Sequence, residues 1–315
     1  MKKNVLILAV VLCVLGLGIG LIGLALSGFD LRPAEYEAKE EALSGVKSIS
    51  IQVNTADVTL LPTTDGTCRI SIREPEGSLS PITFSQKEGG LEIRQANQKW
   101  YDFRHFMGRS PSLTLYLPEG EYAALSIQTD TGDLSVPKEF SFARIQLKTD
   151  TGDIALSADS LGEITVETDT GDISLSYISA DSLSLETDTG DTSLKDLQIA
   201  KTVSLESDTG DLWLEEISCG ALKAETDTGD LEGKDVTVAG RIQVEADTGD
   251  VTLKKCDGGE IFIKTSTGDI FGSFLTEKTF YAKSSTGKED FPTKTAGGKC
   301  EGKSSTGSIV FRVEK

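Results

Sequence analysis

The triplet Asp-Thr-Gly occurs seven times, beginning at Asp130, Asp150, Asp169, Asp188, Asp208, Asp227 and Asp247. A second aspartate follows each glycine, at Asp133, Asp153, Asp172, Asp191, Asp211, Asp230 and Asp250, and the series continues at Asp269. Two chemistries use such residues. Two Asp-Thr-Gly triplets facing each other across a cleft make the shared-proton dyad of an aspartic protease. Carboxylates clustered in repeated turns coordinate calcium, a hard cation that takes oxygen ligands. Seven evenly spaced triplets in a line form no single two-fold dyad, which argues against the protease. For calcium the candidate ligands are Asp150, Asp153, Asp169, Asp172, Asp188, Asp191, Asp208 and Asp211. The competing reading is structural: each aspartate accepts backbone N–H bonds within its own turn. The Gly-Gly-x-Gly-x-Asp nonapeptide of calcium-binding β-rolls is absent. The last three copies read Ser-Thr-Gly-Asp, Ser-Thr-Gly-Lys and Ser-Thr-Gly-Ser, keeping Thr-Gly while shedding acid.

The elements that position these residues follow from the spacing. The glycines are Gly132, Gly152, Gly171, Gly190, Gly210, Gly229, Gly249, Gly268, Gly287 and Gly307, always 19 or 20 residues apart. A period that regular marks one supersecondary unit stacked on itself. In residues 183–194, Leu183, Leu185 and Thr187 alternate with Ser184, Glu186 and Asp188, the pattern of a strand with one buried face. After the glycine the apolar positions change parity, as at Ile173 and Leu175 or Leu212 and Leu214. A one-residue slip requires a bulge or tight turn, and glycine supplies the positive φ cheaply. The phrase is therefore a corner, and Thr149, Thr168, Thr187, Ser207, Thr226, Ala246, Thr265, Ser284 and Ser304 are the small inward residues that open it. A repeat this short holds two or three strands, whereas a propeller blade needs about 40 residues. The expected fold is all-β, a parallel β-helix-like β-solenoid with coils of 19–20 residues, preceded by one N-terminal transmembrane helix.

The net charge of -19 is concentrated in residues 121–251, which carry 29 acidic against 8 basic side chains. Such a surface repels nucleic acid and anionic lipid and attracts cations or basic partners; it also solubilises an extended rod. Hydrophobic content of 38% with only 6% aromatics suits a narrow aliphatic core better than a globular enzyme. The five cysteines, Cys13, Cys68, Cys219, Cys256 and Cys300, show no CxxC spacing and read as small hydrophobes. His105 is the single histidine, so any His-dependent chemistry rests on it alone. It lies in a cluster, Trp100 to Met107, that reads either as an exposed contact patch or as packing under a cap.

Residues 5–26 are uncharged. As a helix they would rise about 33 Å, enough for a bilayer core of about 30 Å. Lys2 and Lys3 precede the run and the first positive charge after it is Arg32, which places the N-terminus in the cytoplasm and the remainder outside. Ala25-Leu26-Ser27 could serve as a signal-peptide cleavage site, although the apolar run is longer than such peptides use. The expected organisation is an anchor over 1–28, a linker over 29–45, a β cap over 46–120 and solenoid repeats over 121–315. Good helix formers in residues 33–43 predict a helix or stiff spacer within the linker. Asn54-Thr55-Ala56-Asp57 reads as a decayed corner phrase, and further cap strands are expected near 68–72, 91–94 and 113–117.

The N-terminal anchor, the cap ending in LTLYLPEGEYAALSIQTDTGDLSV and the serial Ser/Thr-Gly-Asp corners together resemble the bacterial putative-adhesin family, a β-strand-repeat domain of unknown function. The resemblance covers residues 46–315. It implies a β-solenoid ectodomain on the bacterial envelope, some members being associated with envelope-stress systems, and it supplies no catalytic residues. The expected function is a non-catalytic adhesion, interaction or structural module, single-pass in the bacterial cell membrane, with an envelope protein or glycan as partner and no nucleic acid. A calcium-stabilised rod and a β-helix enzyme acting on polysaccharide are the alternatives.

Overall fold

The computed structural model describes residue 12 and residues 14–18, 36–76, 78, 80–96, 110–293 and 296–314. Among these, residues 12 and 14–18 are helical and the ordered remainder is strand and turn. No helix of the described residues is long and apolar enough to cross a membrane. Most of the anchor expected over residues 5–26, and the Trp100–Met107 cluster with His105, lie outside the described residues.

From residue 124 to residue 267 the chain is a β-solenoid whose strands pair in parallel from coil to coil. One coil shows how sequence makes it. The strand Ser182–Thr189 buries Leu183, Leu185 and Thr187, while Ser184, Glu186 and Asp188 alternate outward. Gly190 and Asp191 then turn the corner, and the parity changes, so that Thr192 and Leu194 face inward. A second bend falls at Asp196, whose φ of 52° lets the parity change again before Leu197 and Ile199. Tyr177, Glu216, Asp235 and Lys255 hold the equivalent left-handed position in other coils. The chain then turns near Ala200 and Lys201 and starts the next coil, the pairing register shifting between Ile199 and Thr202. The coils of Gly171, Gly190, Gly210, Gly229 and Gly249 thus have a first strand before the glycine, a second after it, and a third beyond the left-handed residue; in the coils of Gly132 and Gly152 the third strands, Phe140–Phe142 and Asp159–Ser160, follow without one. Their inward Val, Ile and Leu side chains make one continuous core.

The glycine corner is required twice over. Gly190 has φ of 146°, and a Cβ there would lie 2.0 Å from the carbonyl oxygen of Gly171 in the coil below. Ala56 fills the place of this glycine in the first coil, directly under Gly132, so the decayed corner phrase is a real corner.

Both ends depart from chain order. Ser48–Thr55 and Asp57–Thr63 stack directly on Ala124–Thr131 and Leu134–Val136, and the residues between them fold beneath. There Gly90–Gln95 and Ser112–Pro118 add one more parallel layer, covered by antiparallel Ile82–Lys87 and Cys68–Pro75. The helix expected over residues 33–43 is instead the strand Tyr36–Leu43, antiparallel to Cys68–Pro75. Pairing with an open sheet edge overrides its helix propensity. Its exposed Glu37, Lys39, Glu40 and Glu41 leave a charged outer edge that resists further pairing. At the other end, Lys299–Thr306 inserts between Val251–Thr267 and Thr279–Ser284. The corner order is therefore Gly268, Gly307, Gly287, and Gly287 lacks the positive φ of its counterparts. Phe274, Phe280 and Phe311, with ring centroids 5.5–5.9 Å apart, fill the core at this end.

Candidate functional site

The two aspartate columns separate by role. The carboxylate of Asp153 accepts the backbone N–H of Asp172 at 2.9 Å, and Asp172 does the same for Asp191. The ladder runs from Asp57 through Asp133, Asp191, Asp211, Asp230 and Asp250 to Asp269, which accepts from Ser308. Each carboxylate therefore caps the next coil's corner. The expectation that each aspartate caps its own turn is corrected here: stacking brings the neighbouring corner's N–H within reach of the side chain.

The other column, with Asp150, Asp169, Asp188 and Asp208, points outward from the first strand and is exposed. Among the described residues, no side chain or backbone group donates a hydrogen bond to the carboxylates of Asp150, Asp169, Asp188, Asp208 or Asp227. Asp130 is held above its ordinary value, first by desolvation and then by the charge of Asp150. The triplets thus line one column on the outside of the rod, an arrangement with no facing pair. Among the described residues no three His, Cys, Asp or Glu side chains converge as a metal-binding group. The eight calcium candidates are divided between the bonded ladder and the outward column.

A third column emerges only once the coils are in register. Two residues before Asp169, Asp188, Asp208, Asp227 and Asp247 stand Glu167, Glu186, Glu206, Glu225 and Glu245, aligned from coil to coil. Its sequence signal is Glu-x-Asp at the close of five successive first strands. Glutamate and aspartate columns together make a flat acidic face. Parallel strands stack about 4.8 Å apart, so neighbouring like charges repel by roughly 1 kcal/mol in water before salt screening. Lys148 pairs with Glu167 at 2.6 Å and Lys264 with Glu245 at 2.9 Å, at the two ends of the run. Lys223 pairs with Glu225 at 2.9 Å. Among the described residues, Glu186, Glu206, Asp169, Asp188, Asp208 and Asp227 have no ion pair.

Beyond Glu245 the same column turns basic, with Lys264, Lys303 and Lys283 in register. The column beside it carries Phe262, Glu301 and Tyr281 there. Arg241 lies 4.8 Å over the Phe262 ring, and Lys299 lies 5.0 Å from it. The second-strand face differs in kind: Glu215 pairs with both Lys195 and Lys234, which hold its carboxyl down at about 2.

The cysteines offer no activated nucleophile among the described residues. Cys219, Cys256 and Cys300 are free and buried, and burial raises their thiols to about 11, 11 and 12. Cys68 is free and half-buried.

This stack of Ser/Thr-Gly-Asp corners matches the Toastrack DUF4097 family over residues 46–298. The chain belongs to that family. The fold is similar to that of a putative adhesin from Bacteroides fragilis, at 15% identity and a TM-score of 0.43, covering 90% of this chain and 100% of that one. A putative lipid binding protein from Parabacteroides distasonis matches at 15% identity and a TM-score of 0.43, covering 88% and 96%. A putative adhesin from Parabacteroides merdae matches at 12% identity and a TM-score of 0.29, covering 87% and 96%. No match was found among curated proteins.

Proposed function

We propose that this Toastrack chain is a non-catalytic interaction module, tethered to the bacterial cell membrane by residues 5–26 with the solenoid outside the cytoplasm. The tether reading rests on the length of the uncharged run and on Lys2 and Lys3 before it. The contact surface is the first-strand face, and its partner is an envelope protein or glycan. One observation carries this: Glu186, Asp188, Glu206 and Asp208 form an exposed, in-register patch of carboxylates with no direct ion pair among the described residues, Lys223 acting on Glu206 only through its charge. A surface that only needed solubility would be served equally by mixed charge, as on the second-strand face.

The test is a crosslinked pull-down from intact cells with the full chain and the variant E186K/D188K/E206K/D208K. The proposal expects the partner to be lost in the variant while the chain remains folded and membrane-associated. An unchanged set of partners sinks the acidic face as the contact surface, and recovery of the chain in the soluble fraction sinks the tether.

A further inference from the structure

The first-strand face is charge-polarised along the rod. One column reads Glu206, Glu225, Glu245, then Lys264, Lys303, Lys283. We propose that this face pairs with the same face of a second copy, the two rods running antiparallel. The proposal rests on the reading of this face as a contact surface and names its partner.

The pairing follows from symmetry. A two-fold axis along the strand direction, between the coils of Glu245 and Lys264, keeps each column opposite itself and reverses its order. Glu245 then faces Lys264 of the second copy, Glu225 faces Lys303, and Glu206 faces Lys283. The same axis also matches the neighbouring column. Its order is Ser204, Lys223, Gln243, Phe262, Glu301, Tyr281, so Lys223 falls opposite Glu301. Phe262 falls opposite Gln243, beside Phe262 of the other copy across the axis.

A parallel arrangement would set glutamate on glutamate and lysine on lysine. Isologous contacts of this kind close at two copies. The overlap spans six coils, about 29 Å, and a first strand is about 20 Å long, giving roughly 600 Å² on each copy. That is the size of a weak but specific contact. Antiparallel rods also place their N-termini at opposite ends. With residues 5–26 as tethers, the two anchors enter facing membranes, so the contact joins two surfaces.

Sedimentation equilibrium of the full chain in detergent micelles tests the pairing with two charge reversals, K264E/K303E and E225K/E245K. The wild type is expected to dimerise, with an affinity that falls as salt rises. Each reversal alone is expected to give monomer, and an equimolar mixture of the two to restore the dimer, because every reversed charge then meets its opposite. A monomeric wild type, a dimer indifferent to either reversal, or a mixture that stays monomeric overturns the proposal. Capture of a different envelope partner by a monomeric chain overturns the pairing while the contact-face reading stands.

Discussion

The carboxylate of Asp172 accepts a 2.9 Å hydrogen bond from the backbone N–H of Asp191, one coil further along. The corner aspartates thus join coil to coil, and the outward glutamates and aspartates of the first strand are left for contact.

Removing one rung tests that division. Asp191→Ala leaves the N–H of Asp211 to water and is expected to cost about 0.5–1.5 kcal/mol, while Asp191→Asn keeps an acceptor and costs less. Urea denaturation of both variants measures this; an alanine variant as stable as wild type contradicts the ladder. Because each ladder carboxylate already holds a backbone N–H and no three metal-ligating side chains converge among the described residues, chelators are expected to leave the thermal midpoint unchanged.

Glycine substitutions separate backbone strain from stacking. Gly45 has φ of 58° with open space around it, so Gly45→Ala is expected to cost about 1 kcal/mol. Gly190→Ala adds a clash with the carbonyl of Gly171 and is expected to exceed about 4 kcal/mol. Similar denaturation midpoints for the two would contradict the close stacking of corners.

The inward hydroxyls give a prediction of opposite sign. Thr149, Thr168 and Thr265 donate to the corner glycine carbonyl of the coil below, at 3.2–3.4 Å. The hydroxyls of Thr187, Ser207 and Thr226 are buried without a partner among the described residues, and Ala246 holds the same position. Thr226→Val is therefore expected to be neutral or to stabilise by up to about 1 kcal/mol. A loss of stability on denaturation would show that the hydroxyl has a role.

Acidity is expected to relieve the carboxylate crowding. Glu216 is raised, first by its hydrogen bond with Asp196 and then by that residue's charge; Asp130 is raised by desolvation and Asp150. A carboxyl raised in the folded chain holds its proton more tightly there than in the unfolded one. Its contribution is fully present below the unfolded values, near 4.5 and 3.8, and is lost as pH rises through the raised ones. E216Q and D130N should therefore melt higher than wild type at pH 7, with the difference closing towards about pH 4. A difference independent of pH contradicts the assignment.

Much of the fold was legible because the parity slip between Thr187 and Thr192 can be produced by few structures, and the period repeats it. Ala56 could be recognised as a corner from the same phrase. The strand Tyr36–Leu43 could not, since its local sequence favours helix and only the open edge of Cys68–Pro75 decides otherwise. Nor could the insertion of Lys299–Thr306, because its Ser-Thr-Gly phrase matches the others and long-range packing of Phe311 with Phe274 and Phe280 sets the order. Lys278, buried against Asp257 and the carbonyl of Gly258, also had no local signal. The glutamate column was visible as Glu-x-Asp, but its alignment into a face depends on the register of the coils.

Carboxyl footprinting by mass spectrometry, comparing the full chain on intact cells with the purified chain at low concentration, tests the contact face most directly. The account predicts that Glu206 and Glu225 become protected on cells while Glu232 of the second-strand face is labelled equally in both. Equal labelling of Glu206 and Glu225 in the two states, or protection confined to Glu232, would contradict it.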